Sequence, residues 1–247
     1  MPTKERIKSR FDAASTSYDL VGHVQRESAA FLLEIVRELD AAFYPKTILD
    51  LGTGTGYVTK LLMKHYSDSL YTLNDISPKM IEIVQRKFRD NSRLSFCTGD
   101  MERLQFAKHQ LIVSNLAFQW VGDLYGSITK FTNKADVFAF SCLLDGTFQE
   151  WNDILTGYGV NSGIKSYPKL QRIRQFCSDF DTRYLALKTR DVKVKFQNAH
   201  DFIRYLKALG ATATDTTIPT STLRMLMRKY CNELEISYKI FYAVLAK

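Results

Sequence analysis

A doubly wound α/β fold on a mostly parallel, seven-stranded sheet is what the sequence predicts, and three observations predict it. The first is Ile48-Leu49-Asp50-Leu51, an apolar run holding one carboxylate that passes directly into Gly52-Thr53-Gly54-Thr55-Gly56. Branched and apolar residues suit a strand covered on both faces, and alternating glycines let the backbone turn sharply and approach a small molecule closely. The second is Leu70-Tyr71-Thr72-Leu73, a further strand, with Asp75 just past its C-terminal end, where open parallel sheets place their ligands. The third is the alternation of strand and helix signals up to Cys142, which implies right-handed crossovers and helices on both faces of the sheet.

Between Val24 and Asp40 the residues Leu32, Ile35, Val36 and Leu39 recur at helical spacing, so an amphipathic helix precedes the first strand. Upstream, Arg10-Phe11-Asp12-Ala13-Ala14 and Tyr18-Asp19 carry aromatic residues without a long period, and such an extension can cover an open ligand site as a lid. After the glycine loop, Val58, Leu61 and Leu62 give a helix. Ser77-Pro78 opens another through Met80, Ile81, Ile83 and Val84, with serine before proline as the N-cap. Leu94–Cys97, Gln110–Asn115 and Val137–Cys142 are the third, fourth and fifth strands. Beyond Cys142, helices are expected over Phe148–Leu155, Leu170–Cys177 and Ala199–Leu209, with Thr220-Ser221-Thr222 capping another to Tyr230. Gly157 to Gly163 reads as loop, Arg190–Phe196 as a strand with one wet face, and Ile236–Leu245 as the closing strand. The expected organisation is one domain over 1–247: a helical lid over 1–40, a ligand-binding core over 46–142, and substrate-side helices with closing strands over 143–247.

At 247 residues the chain can bury a substantial core. Its 34 Lys+Arg against 26 Asp+Glu give a charge of +8, which favours encounter with an acidic partner. The basic residues are spread from Lys4 to Lys247 without interleaved aromatics, so nucleic acid is not the expected partner. Cys97, Cys142, Cys177 and Cys231 form no C-x-x-C pair and the four histidines are dispersed, so neither a disulfide frame nor a metal site is expected. No stretch has the apolar length of a membrane span, and the charged opening leads to no signal-like segment, so the expected location is cytoplasmic.

The glycine loop narrows the ligand. A dinucleotide fingerprint requires G-x-G-x-x-G, but Tyr57 stands at the third glycine's place, and no Gly-Lys-Ser/Thr follows for a P-loop. What remains resembles the first motif of class I S-adenosylmethionine-dependent methyltransferases, whose cofactor carries no phosphate. The resemblance implies that Gly52, Thr53, Gly54 and Gly56 seat the amino-acid end of the cofactor and that Asp75 accepts from both ribose hydroxyls. Asp100 would meet the adenine amino group or, alternatively, only cap the segment from Met101. Asp50 either orders the loop or draws the sulfonium and amino group. Ile76, Met101, Asn115 and Leu116 complete the expected cofactor set, and Phe118 and Trp120 would form an aromatic wall that attracts a sulfonium and excludes water. The competing reading of these aromatics is a hydrophobic seam.

Ser114-Asn115-Leu116-Ala117-Phe118-Gln119-Trp120 is similar to the signature after the fourth strand in malonyl-acyl-carrier-protein O-methyltransferases of biotin synthesis. Phe11-Asp12-Ala13-Ala14 with Tyr18 and Gln25-Arg26 resembles that family's opening, and Phe140-Ser141-Cys142-Leu143 with Gly146-Thr147-Phe148-Gln149-Glu150 resembles its fifth-strand region. Leu206-Lys207-Ala208-Leu209-Gly210-Ala211-Thr212 and Tyr238 with Phe241 resemble its late helix end and final strand. Thr53 replaces a cysteine frequent in the family's loop, and Asn133-Lys134-Ala135-Asp136 lacks the usual proline and glycine.

The resemblance implies a class I methyltransferase fold with an N-terminal helical lid and a C-terminal helical insertion. It also implies S-adenosylmethionine as cofactor and the free carboxylate of a malonyl thioester on acyl carrier protein as acceptor. A carboxylate is already ionised at neutral pH, so no general base is expected, and alignment is the protein's task. Tyr18 and Arg204 are the expected positioning residues, with Arg204 suited to a bidentate grip on a carboxylate. Gln25 would take the cofactor's carboxylate end, and Lys207 would lie on the substrate side with Phe118 and Trp120. For Arg204 the alternative is an exposed helix charge, and for Tyr18 and Gln25 a packing role. Two other functions stay open: a different class I methyltransferase acting on a small acid or quinone precursor, and an assembly-type protein of the respiratory complex I kind.

Overall fold

The computed structural model describes residues 2–40, 42–162, 166–211 and 218–247. The predicted positions Gly163 and Thr212 lie outside them. Three helices precede the sheet: α1 (Lys4–Ala14), α2 (Tyr18–Val21) and α3 (His23–Arg37). The α3 helix shows the expected stripe, with Leu32, Ile35 and Val36 buried. The aperiodic opening is helical too, as a helical lid requires, although its residues show no period. Only Ile7 and Ala14 of α1 are buried, which leaves too few apolar positions for a period, and its start is set by Thr3, whose hydroxyl accepts from Arg6 N–H.

The core alternates as predicted: β1 (Thr47–Leu51), α4 (Tyr57–Met63), β2 (Leu70–Asp75), α5 (Pro78–Lys87), β3 (Leu94–Thr98) and β4 (His109–Ser114). A short 3₁₀ turn over Phe118–Trp120 leads to α6 (Leu124–Asn133) and β5 (Ala135–Leu143). Ser77 caps α5 by accepting from Met80 N–H, with Pro78 in the first turn. The α6 helix was not read from the sequence, although Asp123 caps it and Ile128 and Phe131 mark its buried side.

The remainder comprises α7 (Gln149–Thr156), α8 (Leu170–Ser178), β6 (Tyr184–Phe196), α9 (Ala199–Ala208), α10 (Thr220–Lys229) and β7 (Leu234–Ala246). Thr220 begins α10 rather than capping it, because Pro219 holds the capping position. The β6 strand starts six residues earlier than its alternating pattern, since Tyr184 to Phe196 pairs antiparallel along the whole of β7. Among the described residues the sheet has seven strands in the order β3-β2-β1-β4-β5-β7-β6. The first five are parallel and β7 joins β5 antiparallel.

Alternate strand residues feed two cores. Ile48, Leu111, Val113, Val137 and Tyr242 pack on the face shared with α3, α4 and α9. Leu49, Ile112, Phe138, Phe140 and Phe241 pack on the opposite face with α6 and α8. Strand order reverses between β1 and β4, so the loops leaving these two strands diverge and open a crevice at their C-terminal ends. No helix among the described residues is long and apolar enough to cross a membrane.

Candidate active site

The loop after β1 holds three left-handed glycines, Gly52 (φ +67°), Gly54 (φ +55°) and Gly56 (φ +81°). They serve different ends. A Cβ at Gly52 would lie 2.4 Å from the Ala117 Cβ, and one at Gly56 would press on the Phe88 ring at 2.9 Å, so these two permit close packing. A Cβ at Gly54 would meet only the Tyr18 ring, at 3.9 Å, so this glycine leaves backbone open toward the crevice.

Asp50 is tied to the loop and to the helix that follows it. Its Oδ2 accepts from Thr53 Oγ1 at 2.9 Å and Thr59 Oγ1 at 2.6 Å, while its Oδ1 is buried without a partner. Burial pushes this carboxyl up to about 6 against the pull of those hydroxyls. Asp75, at the end of β2, accepts from Gly54 N–H at 2.9 Å and from Ser77 N–H at 2.8 Å, one per oxygen. Each oxygen keeps a lone pair for a further donor. Burial raises Asp75 to about 6 as well, partly offset by the two backbone hydrogen bonds.

Gly52, Gly54, Asp75, Ile76, Asp100, Met101, Asn115, Leu116 and Trp120 line one cleft, roofed by Lys4, Ile7 and Phe11 of α1. The roof is fastened at three points. Lys4 Nζ pairs with Glu102, lies 3.3 Å from Asp100 Oδ1 and donates to the Trp120 carbonyl at 3.2 Å. Asp12 accepts from Ser77 Oγ at 2.5 Å. Asp19 accepts from Thr55 Oγ1 and pairs with Lys87 at 2.7 Å, and Lys87 also donates to the Thr55 carbonyl. Lys4 carried no signal in the sequence, because a lysine near a chain start is ordinarily just solvated.

The cleft continues under Tyr18 to the glycine-loop side, where Gln25, Arg26, Thr53 and Thr55 join the lining. Gln25 Oε1 is buried there with no partner among the described residues. Asn115 borders both parts, but its side chain is engaged: Nδ2 donates to the Gln25 carbonyl at 3.0 Å and Oδ1 accepts from Ser28 and Ser141. It braces α3 against β4 and β5 while still lining the cleft.

A second chamber opens from Tyr18 in the other direction, lined by Phe11, Gln25, Leu116, Trp120, Phe148, Tyr167, Leu209, Ala211 and Tyr238 among others. The lining holds phenols, amides and apolar groups and no carboxylate, imidazole or ammonium among the described residues. Burial pushes the Tyr18, Tyr167 and Tyr238 phenols well above their ordinary range, and Tyr205, which accepts from Tyr238 at 3.2 Å, up to about 12. These phenols therefore stay protonated donors at neutral pH. Leu116 (φ +48°) and Phe148 (φ +61°), the two positive-φ residues other than glycine among those described, both border this chamber. Such strain persists where surrounding structure enforces it, commonly at ligand sites.

Three expected substrate residues lie elsewhere. Phe118 is fully buried on the opposite face of the sheet, stacked on Phe140 at 5.2 Å and close to Phe138 at 5.5 Å. The 3₁₀ turn directs Trp120 into the cleft and Phe118 into the core, so the seam reading holds for Phe118. Arg204 has 69% of its side chain exposed and pairs with Asp201 one turn away. Lys207 is exposed on the same outer face, because α9 buries Ala199, Phe202 and Tyr205 instead. Phe148, Tyr167 and Tyr238 line the chamber and are not among the expected site residues. Their positions after β5, before α8 and on β7 converge only through the fold.

A family profile described as "Methyltransferase domain" matches residues 48–132, the span from β1 through most of α6. Malonyl-acyl-carrier-protein O-methyltransferase of Anoxybacillus flavithermus is 30% identical over 221 residues, covering 86% of this chain and 82% of that one. The chain belongs to the malonyl-acyl-carrier-protein O-methyltransferase family. The relative of the same name in Neorickettsia risticii is 28% identical over 241 residues, 98% of this chain and 96% of that one. The YcgJ protein of Bacillus subtilis has the same fold, with a TM-score of 0.58 at 13% identity over 88% of this chain and 99% of that one. As a member of this methyltransferase family, the chain is an S-adenosylmethionine-dependent enzyme, and its seven-stranded sheet is the class I fold.

Proposed function

We propose that this enzyme methylates the free carboxylate of a malonyl thioester carried on acyl carrier protein, giving the methyl ester that primes pimeloyl synthesis for biotin. The observation that carries the reading is the chamber beyond Tyr18: it adjoins the cofactor cleft and contains no group able to act as a base at neutral pH among the described residues. An acceptor that must lose a proton would be poorly served there, whereas a carboxylate is already ionised.

The residues present fit the cofactor. Gly54 offers open backbone, Asp75 has spare acceptor capacity for two ribose hydroxyls, and Gln25 Oε1 is a buried acceptor suited to the ammonium of the methionine end. Arg26, lining the same part of the cleft, suits the neighbouring carboxylate better than Gln25 does. Asp100 and Met101 take the adenine end, with Lys4 above them. S-adenosylmethionine, when bound, supplies an electrophilic methyl group on a sulfonium. Tyr18 borders both cofactor compartments and the acceptor chamber, so its hydroxyl orients the acceptor carboxylate at their junction, and Tyr167 offers a second phenol from the chamber lining. Trp120 and Phe11, packed edge to face with centroids 5.5 Å apart, exclude water. Proximity in a dry chamber then lowers the barrier without proton transfer. Residues 1–247 act as one unit on this reading, with α1 and α2 as its lid.

Incubation with malonyl-acyl carrier protein and labelled S-adenosylmethionine is the test, with ester formation read by mass. A gain of one methyl group on the malonyl moiety is expected. Turnover of a free small acid or quinone precursor without turnover of the thioester would select the other methyltransferase reading. Cofactor binding with no product on any acceptor would favour an assembly role.

A further inference from the structure

The cations of the helices around the acceptor chamber differ from those along the β6 edge of the sheet. On β6, Lys188, Lys193 and Lys195 are each neutralised, by Glu38, Glu235 and Glu233. On the helical face, Lys8 and Arg10 of α1, Lys207 of α9, and Arg224 and Arg228 of α10 are all exposed and have no ion-pair partner among the described residues. Acids there are few: Asp12 is bonded to Ser77 and Asp201 to Arg204, Glu5 opens α1, and α10 has none.

These helices are joined around the chamber mouth. The α9 helix touches both α1 and α10, Ser17 Oγ donates to the Ala208 carbonyl at 2.9 Å, and Gly210 lies directly against the Arg10 backbone. Leu209 and Ala211, immediately after α9, line the chamber together with Phe11 of α1. The unpaired positive charge thus lies on helices that adjoin the acceptor site. Met225, 42% exposed between Arg224 and Arg228, adds an apolar contact among these cations.

We infer that the outer face of α9 and α10, extended by the Lys8–Arg10 turn of α1, is the docking surface for an acidic carrier protein, which seats there and delivers its thioester arm past Leu209 and Ala211. The inference rests on the malonyl-thioester reading and adds where the carrier binds. It also gives Lys207 a use: that residue meets the carrier rather than the malonyl group. Cations on an interface rim act mainly on encounter and salt dependence.

The test compares wild type, the triple variant Lys207→Glu/Arg224→Glu/Arg228→Glu, and Arg86→Glu/Arg89→Glu on α5 and just beyond it, near the opposite sheet edge. Two acceptors are used, malonyl-acyl carrier protein and malonyl-N-acetylcysteamine, whose thioester has no charged carrier. For the triple variant a rise of tenfold or more in carrier KM is expected, with kcat and short-thioester turnover within twofold of wild type. The wild-type KM should climb toward the variant's at 0.5 M salt. A carrier KM within twofold of wild type, or an equal rise in the α5 variant, would overturn the surface. Equal loss on the short thioester would return these residues to substrate positioning and overturn it too. Wild type that methylates neither acceptor would instead sink the malonyl reading itself, a result distinct from any of these.

Discussion

Asp75 is where titration and cofactor binding meet. Its carboxyl, raised to about 6 by burial, is half protonated near that pH in the free enzyme. If ribose hydroxyls donate to the ionised form, as proposed above, cofactor lowers its pKa, and by linkage affinity is full above about pH 6 and falls as pH drops through it. Calorimetric titration between pH 5 and 8 should show Kd rising by up to about tenfold per unit below pH 6. Asp75→Asn should bind more weakly and flatten the profile; a profile unchanged by the substitution would assign the titration to Asp50, raised to about 6 beside it. Stability of the cofactor-free protein runs the other way. A folded-state pKa above the unfolded value of about 3.9 means that ionisation opposes folding, so these carboxyls contribute less stability as pH rises from about 4 to about 6.

The element that most exceeds its sequence signal is α1. With Ile7 and Ala14 as its buried residues, it is held by polar fasteners as much as by apolar burial, which suits a part that must admit and release cofactor. Lys4→Ala removes the fastener over the adenine end but leaves Glu102 accepting from Gly122 and Asp123 N–H at 2.7 and 2.9 Å. Global stability should therefore fall by no more than about 1 kcal/mol. Hydrogen exchange across residues 4–14 should accelerate several-fold; unchanged protection there would show that Asp12 and Asp19 suffice to hold the lid. The α9 helix teaches a related lesson about spacing. The positions of Arg204 and Lys207 suggested substrate contact, yet Phe202 and Tyr205 claim the inward face and rotate both cations outward.

Across the whole molecule the two faces of the sheet divide labour, one carrying the lid and acceptor chamber and the other an aromatic core. Phe118 belongs to the second, between Phe131, Phe138 and Phe140. Phe118→Ala should destabilise the fold by about 3–5 kcal/mol in denaturant titration. Cofactor Kd in the remaining folded protein should stay within about twofold, and a large loss of affinity without loss of stability would restore Phe118 to the site.

The sequence by itself determined the alternating core, the glycine loop, Asp75 at the end of β2, the Ser77 cap and the cofactor class. These are local properties: period, turn chemistry and a carboxylate at a strand end are written within a few residues. It also located Tyr18, Gln25 and Trp120 through resemblance. The tertiary structure alone decided which side chains share a chamber. It separated Phe118 from Trp120, two residues apart, onto opposite faces, spent Asn115 on bracing, and turned Arg204 and Lys207 to the surface. It brought Lys4 over the cleft, and Phe148, Tyr167 and Tyr238 to the adjoining chamber, from distant parts of the chain. A side chain's direction depends on the packing of every element around it, and that sum cannot be read from neighbours in sequence.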